Sequence, residues 1–304
     1  MAARSGSGAG LGAVKARAGA RLRTVGRRLR LRWAIRVWLD VRERVTGKRD
    51  PMVPPRRWGL PSQFPSVGAR ILEYGLVDAG GLRPEEQVLD IGCGAGRVAA
   101  HLTRYLDPAA GSYEGFDVMP RAIDWAQKQI TTRHPNFRFQ LAEVRNDEYS
   151  PEATGDASTY RFPYAEGEFD FAFALSLYTH MLPFQVANYL RETARVLRPG
   201  GRSLATFFLL NPEAEELIAE GVTLPFAAGG GRFELSADLD DGHGGRYRAR
   251  NPDRPEARVV LHEDDVRELH EQAGLQIAET RYGRWCGRKK RPGAMGQDVV
   301  VAVK

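Results

Sequence analysis

Cysteine is scarce in this 304-residue sequence, histidine forms no cluster, and no long apolar run occurs. Cys93 and Cys286 alone make neither a disulfide framework nor a four-thiolate zinc site, and the six histidines lack metal-ligand spacing such as HExxH. A reducing, cytoplasmic compartment, no disulfide partner and no bound metal are therefore expected. Acids are nearly missing from the first 57 positions, where sixteen Lys and Arg face only Asp40, Glu43 and Asp50. The net charge of +6 belongs to that arm and the rest of the chain is mildly acidic, so the main domain carries no electrostatic footprint for nucleic acid.

Residues 1–20 are dominated by Ala, Gly, Ser and Arg and bury too little to offset ordering entropy, which predicts a disordered tail. Residues 21–46 read as a basic helix, with Leu29, Trp33, Val37 and Val41 at four-residue spacing and Ile35, Trp38 and Val45 on an adjoining stripe. Arginine interrupts every apolar stretch there, which excludes a membrane span. Such a helix can lie on an anionic membrane surface, touch nucleic acid, act as an organellar presequence, or pack its tryptophan face on a neighbouring domain; all four stay open. A Pro- and Arg-rich linker closes this 21–65 region, and a helix over Val67–Leu76 leads into the main domain, 66–304.

From Gln87 onward short apolar strands alternate with amphipathic helices, the pattern of βαβ units around a largely parallel sheet. Strands are predicted at Val88–Ile91, Tyr113–Phe116, Phe137–Leu141, Phe169–Leu175, Arg202–Phe208, Leu275–Tyr282 and Asp298–Val303, and helices near Arg97–Leu106, Arg121–Thr131, Pro183–Leu197 and Asp264–Ala273. Pro199-Gly200-Gly201 is expected to stop the third of these helices. Two stretches exceed an ordinary connection, Arg145–Tyr160 and the insertion at about 211–259. Loops of that length are usually covers over a site or disordered, and these fall where a substrate would enter.

The run VLDIGCGAGRVAAHL places a buried strand, then Gly92-x-Gly94-x-Gly96, then a helix. Glycine permits positive φ and lets backbone N–H groups approach a ligand, and the helix start offers unpaired N–H groups to an anion. Twenty-one residues past Gly96, Asp117 ends the next strand, where a carboxylate can accept hydrogen bonds from ribose hydroxyls. These features suit any nucleoside-binding domain of this build. A dinucleotide fingerprint would place its third glycine one position later, where this chain has Arg97.

VLDIGCGAGR, EGFD, FPYAEGEFDFAFA and RVLRPGG together resemble the successive motifs of class I S-adenosylmethionine-dependent methyltransferases, over roughly residues 85–210. The resemblance implies a Rossmann-like, doubly wound α/β fold: a mostly parallel seven-stranded sheet whose last strand inserts antiparallel, here with a basic N-terminal helical arm. It implies S-adenosyl-L-methionine as cofactor, with Asp90 orienting its ammonium and the Gly92–Cys93–Gly94 backbone, with Gly96 behind it, lining the methionine moiety. Asp117 would hold the ribose, Val118 and Met119 would flank the adenine, and Ala142 and Glu143 would meet its amino edge. Ala174, Leu175 and Ser176 would close the site beneath the methionine.

A sulfonium methyl is already activated, so the protein must chiefly align donor and acceptor, and a hydroxyl acceptor benefits from a base. His180, in LSLYTHML beyond the fourth predicted strand, is the candidate catalytic base; a capping or packing role is its competitor. Tyr178 and Ser176 are lesser companions. Tyr282, Trp285 and Cys286 are expected to fill core, Cys93 to be inert, and Arg288–Arg291 to form a solvated loop. The expected acceptor is the O or N of a small molecule, a metabolite, sugar or lipid, with possible polar or cationic recognition by Phe226, Phe233, Glu234 and Asp238–Asp241 of the insertion. A nucleic-acid methyltransferase anchored by the arm is an alternative, although the chain lacks the (Asp/Asn/Ser)-Pro-Pro-(Tyr/Phe) turn of base-amine enzymes and an assembled Lys-Asp-Lys-Glu set. A cofactor-binding scaffold without turnover is another.

Overall fold

A computed structural model describes residues 34, 36–43, 45–47, 50–58, 64–147, 149–221, 235–289, 291 and 293–304. The expected tail at 1–20 and Leu29, Trp33 and Ile35 of the arm's predicted stripe lie outside these residues, whereas Val37, Trp38, Val41 and Val45 are described. The chain divides into two compact units, residues 1–64 and 65–304. In the first, residues 36–43 are helical; Asp40 is buried and its carboxylate accepts from the Arg56 N–H, while Glu43 pairs with the Arg56 guanidinium at 2.7 Å.

The second unit is built on seven strands: β1 Gln87–Ile91, β2 Ser112–Asp117, β3 Phe137–Leu141, β4 Phe169–Ala174, β5 Leu197–Phe207, β10 Gln276–Arg281 and β11 Asp298–Val303, numbered in chain order with four short strands (β6–β9) given below. Their order is β10-β11-β5-β4-β1-β2-β3. Pairing is parallel throughout the β5-β4-β1-β2-β3 portion, whereas β11 runs antiparallel to both β5 and β10. The inserted antiparallel strand implied by the resemblance is therefore present. β1 and β4 are buried on both faces, which explains their near-continuous apolar sequences. Strand order reverses between β1 and β4, so a crevice opens beyond their C-terminal ends, the place where open sheets of this kind bind ligands.

Five helices fall close to expectation, α1 Phe64–Arg70, α2 Ala99–Leu102, α3 Pro120–Ala126, α4 Pro183–Val196 and α6 Glu263–Gln272, while α5 Pro212–Ala219, capped by Asn211, stands where the sequence predicts only a long connection. Three differences have local causes. α2 is a single turn, because the left-handed Gly96 delays its start and turns follow Leu102. α1 and α3 continue as wider π-type turns over Ile71–Ala79 and Gln127–Thr131. Pro199-Gly200-Gly201 stops no helix; α4 ends at Val196 and β5 already begins at Leu197, with Gly200 at φ 77° turning the extended chain.

The insertion holds more order than a plain cover loop. β6 Leu209–Leu210, β7 Leu239–Asp240, β8 Arg246–Ala249 and β9 Val259–His262 form a second sheet, ordered β6-β9-β8-β7, beside α5. Leu210, Ala214, Val260, Trp285 and Cys286 make its own small core. The main core joins the sheet to an aromatic group, Phe116, Phe162, Tyr164 and Tyr189, supplied by β2, the post-β3 loop and α4. Each fully buried side chain of that size stabilises by about 1.5–3 kcal/mol.

Candidate active site

The crevice is built from three strand ends. After β1 the chain folds back on β2, the N–H groups of Gly92 and Cys93 both donating to the Phe116 carbonyl at 2.9 and 3.0 Å. Gly92, Gly94 and Gly96 hold φ of 81°, 54° and 76°, a region that side chains with a Cβ enter at a cost of roughly 1–2 kcal/mol. At Gly96 a Cβ would also lie 2.6 Å from Ile130 Cδ1, whereas a Cβ at Gly94 would meet nothing within 4 Å. The loop thus packs tightly on one side and presents bare backbone on the other.

Asp117 ends β2 with a buried carboxylate that accepts from Gly94 N–H at 2.8 Å and from Met119 N–H at 2.9 Å. Burial pushes its carboxyl up, against those backbone donors. Each oxygen takes one donor and keeps acceptor capacity for another. Val118 and Met119 follow, both half-buried. Ala142 N–H donates to the Asp117 carbonyl at 3.0 Å, and Glu143 beside it is exposed. Asp90 lies beneath the loop, buried, accepting from Tyr113 Oη at 2.7 Å. Burial raises its carboxyl to about 7, opposed by the Tyr113 hydrogen bond. Burial also pushes the Cys93 thiol well up, so it stays protonated and inert at neutral pH.

At the end of β4, Ala174 and Leu175 are buried and Ser176 has φ 57°, the left-handed exception among non-glycine residues described. Its N–H donates to Thr206 Oγ1 at 2.7 Å and its hydroxyl to Gln297 Oε1 at 2.9 Å. Gln297 Nε2 reaches Thr179 Oγ1 at 3.4 Å. Leu177, held by this turn, would lie 3.3 Å from a Cβ at Gly92. Strain of this kind persists where surrounding bonds over-determine it and clusters at ligand sites.

His180 follows in a short 3₁₀ turn, Tyr178–His180. Its Nδ1 lies 2.9 Å from the Glu256 carbonyl, which can only accept, so in the neutral ring Nδ1 carries the proton and Nε2 is the basic nitrogen. The Tyr149 ring meets the imidazole edge-on at 6.3 Å. Close by, residues 145–147, 154–157 and 253–257 with Leu182 and Gln185 line a cavity of about 540 Å³. Both long stretches flagged in the sequence therefore meet at one cavity. Among the described residues no group of His, Cys, Asp or Glu is arranged to hold a metal ion.

A methyltransferase-domain profile matches residues 88–201. Residues 88–201 thus form a methyltransferase domain of the class I S-adenosylmethionine-dependent kind. The chain is 35% identical over 142 residues to 27-O-demethylrifamycin SV methyltransferase of Amycolatopsis mediterranei (strain S699), covering 46% of this chain and 44% of that one. It is 31% identical over 163 residues to demethylmenaquinone methyltransferase of Beutenbergia cavernae, covering 52% and 56%. The chain thus spans about half the length of these curated relatives. The crystal structure of the PH0226 protein from Pyrococcus horikoshii OT3 is similar at TM-score 0.49 and 17% identity, over 80% of this chain and 92% of that one.

The cofactor of this family is S-adenosylmethionine, and the residues present fit it. Gly94 offers bare backbone where a Cβ would meet open space, and both Asp117 oxygens retain acceptor capacity beside it. The sequence-chosen residues Asp90, Gly92, Cys93, Gly94, Gly96, Asp117, Val118, Met119, Ala142, Glu143, Ala174, Leu175 and Ser176 all sit on the linked ends of β1 to β4 or the turns after them.

Other expectations need correcting. Tyr178 is no companion of His180: it is buried in the core and its ring lies 5.1 Å from that of Phe207. Trp285 and Cys286 are core, but Tyr282 is 39% exposed, donating to Glu263 Oε1 at 2.7 Å. Arg288 is not solvated; its side chain is 8% exposed and pairs with Glu213 at 2.8 Å and Asp298 at 3.1 Å. Phe226, Phe233 and Glu234 lie outside the described residues, and the Asp238–Asp241 run is spent on the protein itself. Asp238 pairs with Arg248, Asp240 accepts from Gly242 N–H, and Asp241 accepts from Phe184, His243 and Gly245 N–H groups. Sequence reasoning missed Gln297, Gln185 and Glu256. None sits in a motif, and their partners are 118, 71 and 76 residues away.

Proposed function

We propose that this protein transfers a methyl group from S-adenosylmethionine to an oxygen or nitrogen of a small-molecule acceptor. The observation that carries this is the convergence at the C-terminal strand ends of the glycine loop, Asp117, the strained Ser176 turn and His180, with a cavity beside His180. Two relatives named for rifamycin and menaquinone precursors support a small-molecule acceptor. Bound cofactor supplies an electrophilic sulfonium methyl. Asp117 holds the ribose hydroxyls, Val118 and Met119 flank the adenine, Ala142 backbone and Glu143 meet its amino edge, and Asp90 orients the ammonium. The backbone of Gly92–Gly94 and Ala174–Ser176 lines the methionine chain. His180 Nε2 takes the acceptor's proton while the Glu256 carbonyl fixes the ring, and the insertion at about 211–259 covers the acceptor.

Methyl-labelled S-adenosylmethionine incubated with pools of hydroxyl- and amine-bearing small molecules tests this. Labelled product and S-adenosylhomocysteine are expected in equal amounts, with His180→Asn lowering kcat about 10²- to 10⁴-fold while cofactor affinity holds. Cofactor binding without turnover in any pool would contradict it and favour a scaffold; labelled RNA or DNA instead would favour a nucleic-acid enzyme.

No helix among the described residues is long and apolar enough to cross a membrane. For the arm we propose peripheral contact with an anionic membrane surface. Trp38, Val41 and Val45 fall on one helix face at 59%, 55% and 80% exposure, and the Arg42 guanidinium lies 5.3 Å from the Trp38 ring centre. Asp40 and Glu43, on the opposite face, are tied to Arg56. An apolar face edged by arginine is the pattern of helices that lie in an anionic interface. Sedimentation with phosphatidylglycerol vesicles, but not phosphatidylcholine vesicles, is expected, and Trp38→Ser with Val41→Ser should abolish it. Equal recovery of wild type and variant in the pellet contradicts the proposal.

A further inference from the structure

Six ionisable side chains line the cavity beside His180: Arg145, Asp147, Asp156, Asp253, Arg254 and Glu256. Four are carboxylates, and one of the two guanidinium groups is engaged internally, Arg145 Nε lying 3.3 Å from Asp147 Oδ1. Glu256 is half-buried and accepts from a neutral donor, Gln185 Nε2, at 3.2 Å. Burial and the like charge of Asp147 push its carboxyl up, opposed by Gln185 and His180. Among the described residues no lysine or arginine forms an ion pair with it. A half-buried carboxylate beside other carboxylates, without a cation of its own, is held at a cost that an incoming cation would relieve.

The cavity's position ties it to the transfer chemistry. One wall begins where Val144 bridges Gly155, directly after Glu143. The other is the Pro255–Ala257 turn, whose Glu256 carbonyl holds His180 Nδ1. A molecule seated against the Glu256 carboxylate would therefore rest on the same residue that fixes the ring of the candidate base.

We propose that this cavity seats the methyl acceptor and that its carboxylates, Glu256 foremost, select a cationic, amine-bearing molecule. The proposal rests on the methyl-transfer reading above. The ammonium group pairs with Glu256 and its neighbours, and an anionic acceptor of the same shape is repelled by them. The acidic run at 238–241 has no share in this selection, because its carboxylates are bonded within the fold.

Three probes of one shape and different charge test it: tyramine, tyrosol and para-hydroxyphenylacetate, measured by saturation-transfer NMR on the full chain with S-adenosylhomocysteine present. Tyramine is expected to bind tightest and the acid weakest. Glu256→Gln should weaken tyramine about tenfold while leaving tyrosol and S-adenosylhomocysteine unchanged. Should that variant fail to fold, Asp253→Asn, at the exposed rim, gives the same sign with a smaller factor. Equal affinity for all three probes, preference for the acid, no binding of tyramine, or an unchanged tyramine affinity in both variants overturns the proposal. Failure of S-adenosylhomocysteine to bind the wild type would instead overturn the methyl-transfer reading, so the two failures are separable.

Discussion

Asp90 ties the glycine loop after β1 to pH through a single buried carboxyl. Its carboxyl is raised from 3.8 to about 7 by burial, with Asp117 raising it further and Tyr113 and Arg97 opposing. The folded protein therefore holds this proton more tightly than the unfolded chain does. Its contribution to stability is complete below the unfolded value and is lost as pH rises through the folded one. Asp90→Asn should flatten that fall, read as Tm against pH between about pH 4 and about pH 8. A bound cation favours the ionised form, so cofactor affinity should rise from about pH 6 to about pH 8 with proton release, and a flat profile would contradict the role given to Asp90. The sequence marked Asp90 and Asp117 because their geometry is set within one strand and one turn. It did not mark Glu256, whose contact with His180 spans 76 residues and depends on two loops without periodicity.

At the scale of elements, Asp298 joins parts that sequence patterns treat as separate. At the start of β11 its fully buried carboxylate accepts from the Leu209 N–H at 2.8 Å, the Gly283 N–H at 2.7 Å, the Trp285 indole and the Arg288 guanidinium. Those donors come from β6 of the second sheet and from the segment after β10. Asp298→Ala leaves them buried without an acceptor and should cost about 3–5 kcal/mol, measured by urea unfolding. A loss under about 0.5 kcal/mol would show that the hub does not tie the two sheets. The strands and helices of the main sheet were legible because each carries an apolar run or an apolar period of its own. The second sheet was not: β6 and β7 are two residues long, too short for a period to register. Arg288 looked solvated for a related reason, since nothing in a basic run reveals that Asp298 and Glu213 wait on other elements.

For the whole molecule, the order β10-β11-β5-β4-β1-β2-β3 makes the two strand ends flanking the reversal point the natural seat for a nucleoside. The glycine loop and Ser176 stand on those two ends, and Asp117 on the next. Motif order and spacing made this much readable without coordinates, because each motif follows its strand directly. The proposed acceptor cavity was not readable, since its walls come from the post-β3 loop and the insertion, which share no motif. The central claim is that the site takes an S-adenosyl cofactor. The most direct measurement is the thermal shift of the full chain with S-adenosylmethionine, S-adenosylhomocysteine and NADH, beside Asp117→Ala. Ligand at about a hundred times its Kd stabilises by roughly 2.7 kcal/mol, a rise of several degrees. A rise with the two S-adenosyl compounds alone, lost in Asp117→Ala, is the predicted result; no rise from a folded protein, or a rise with NADH alone, would contradict the account.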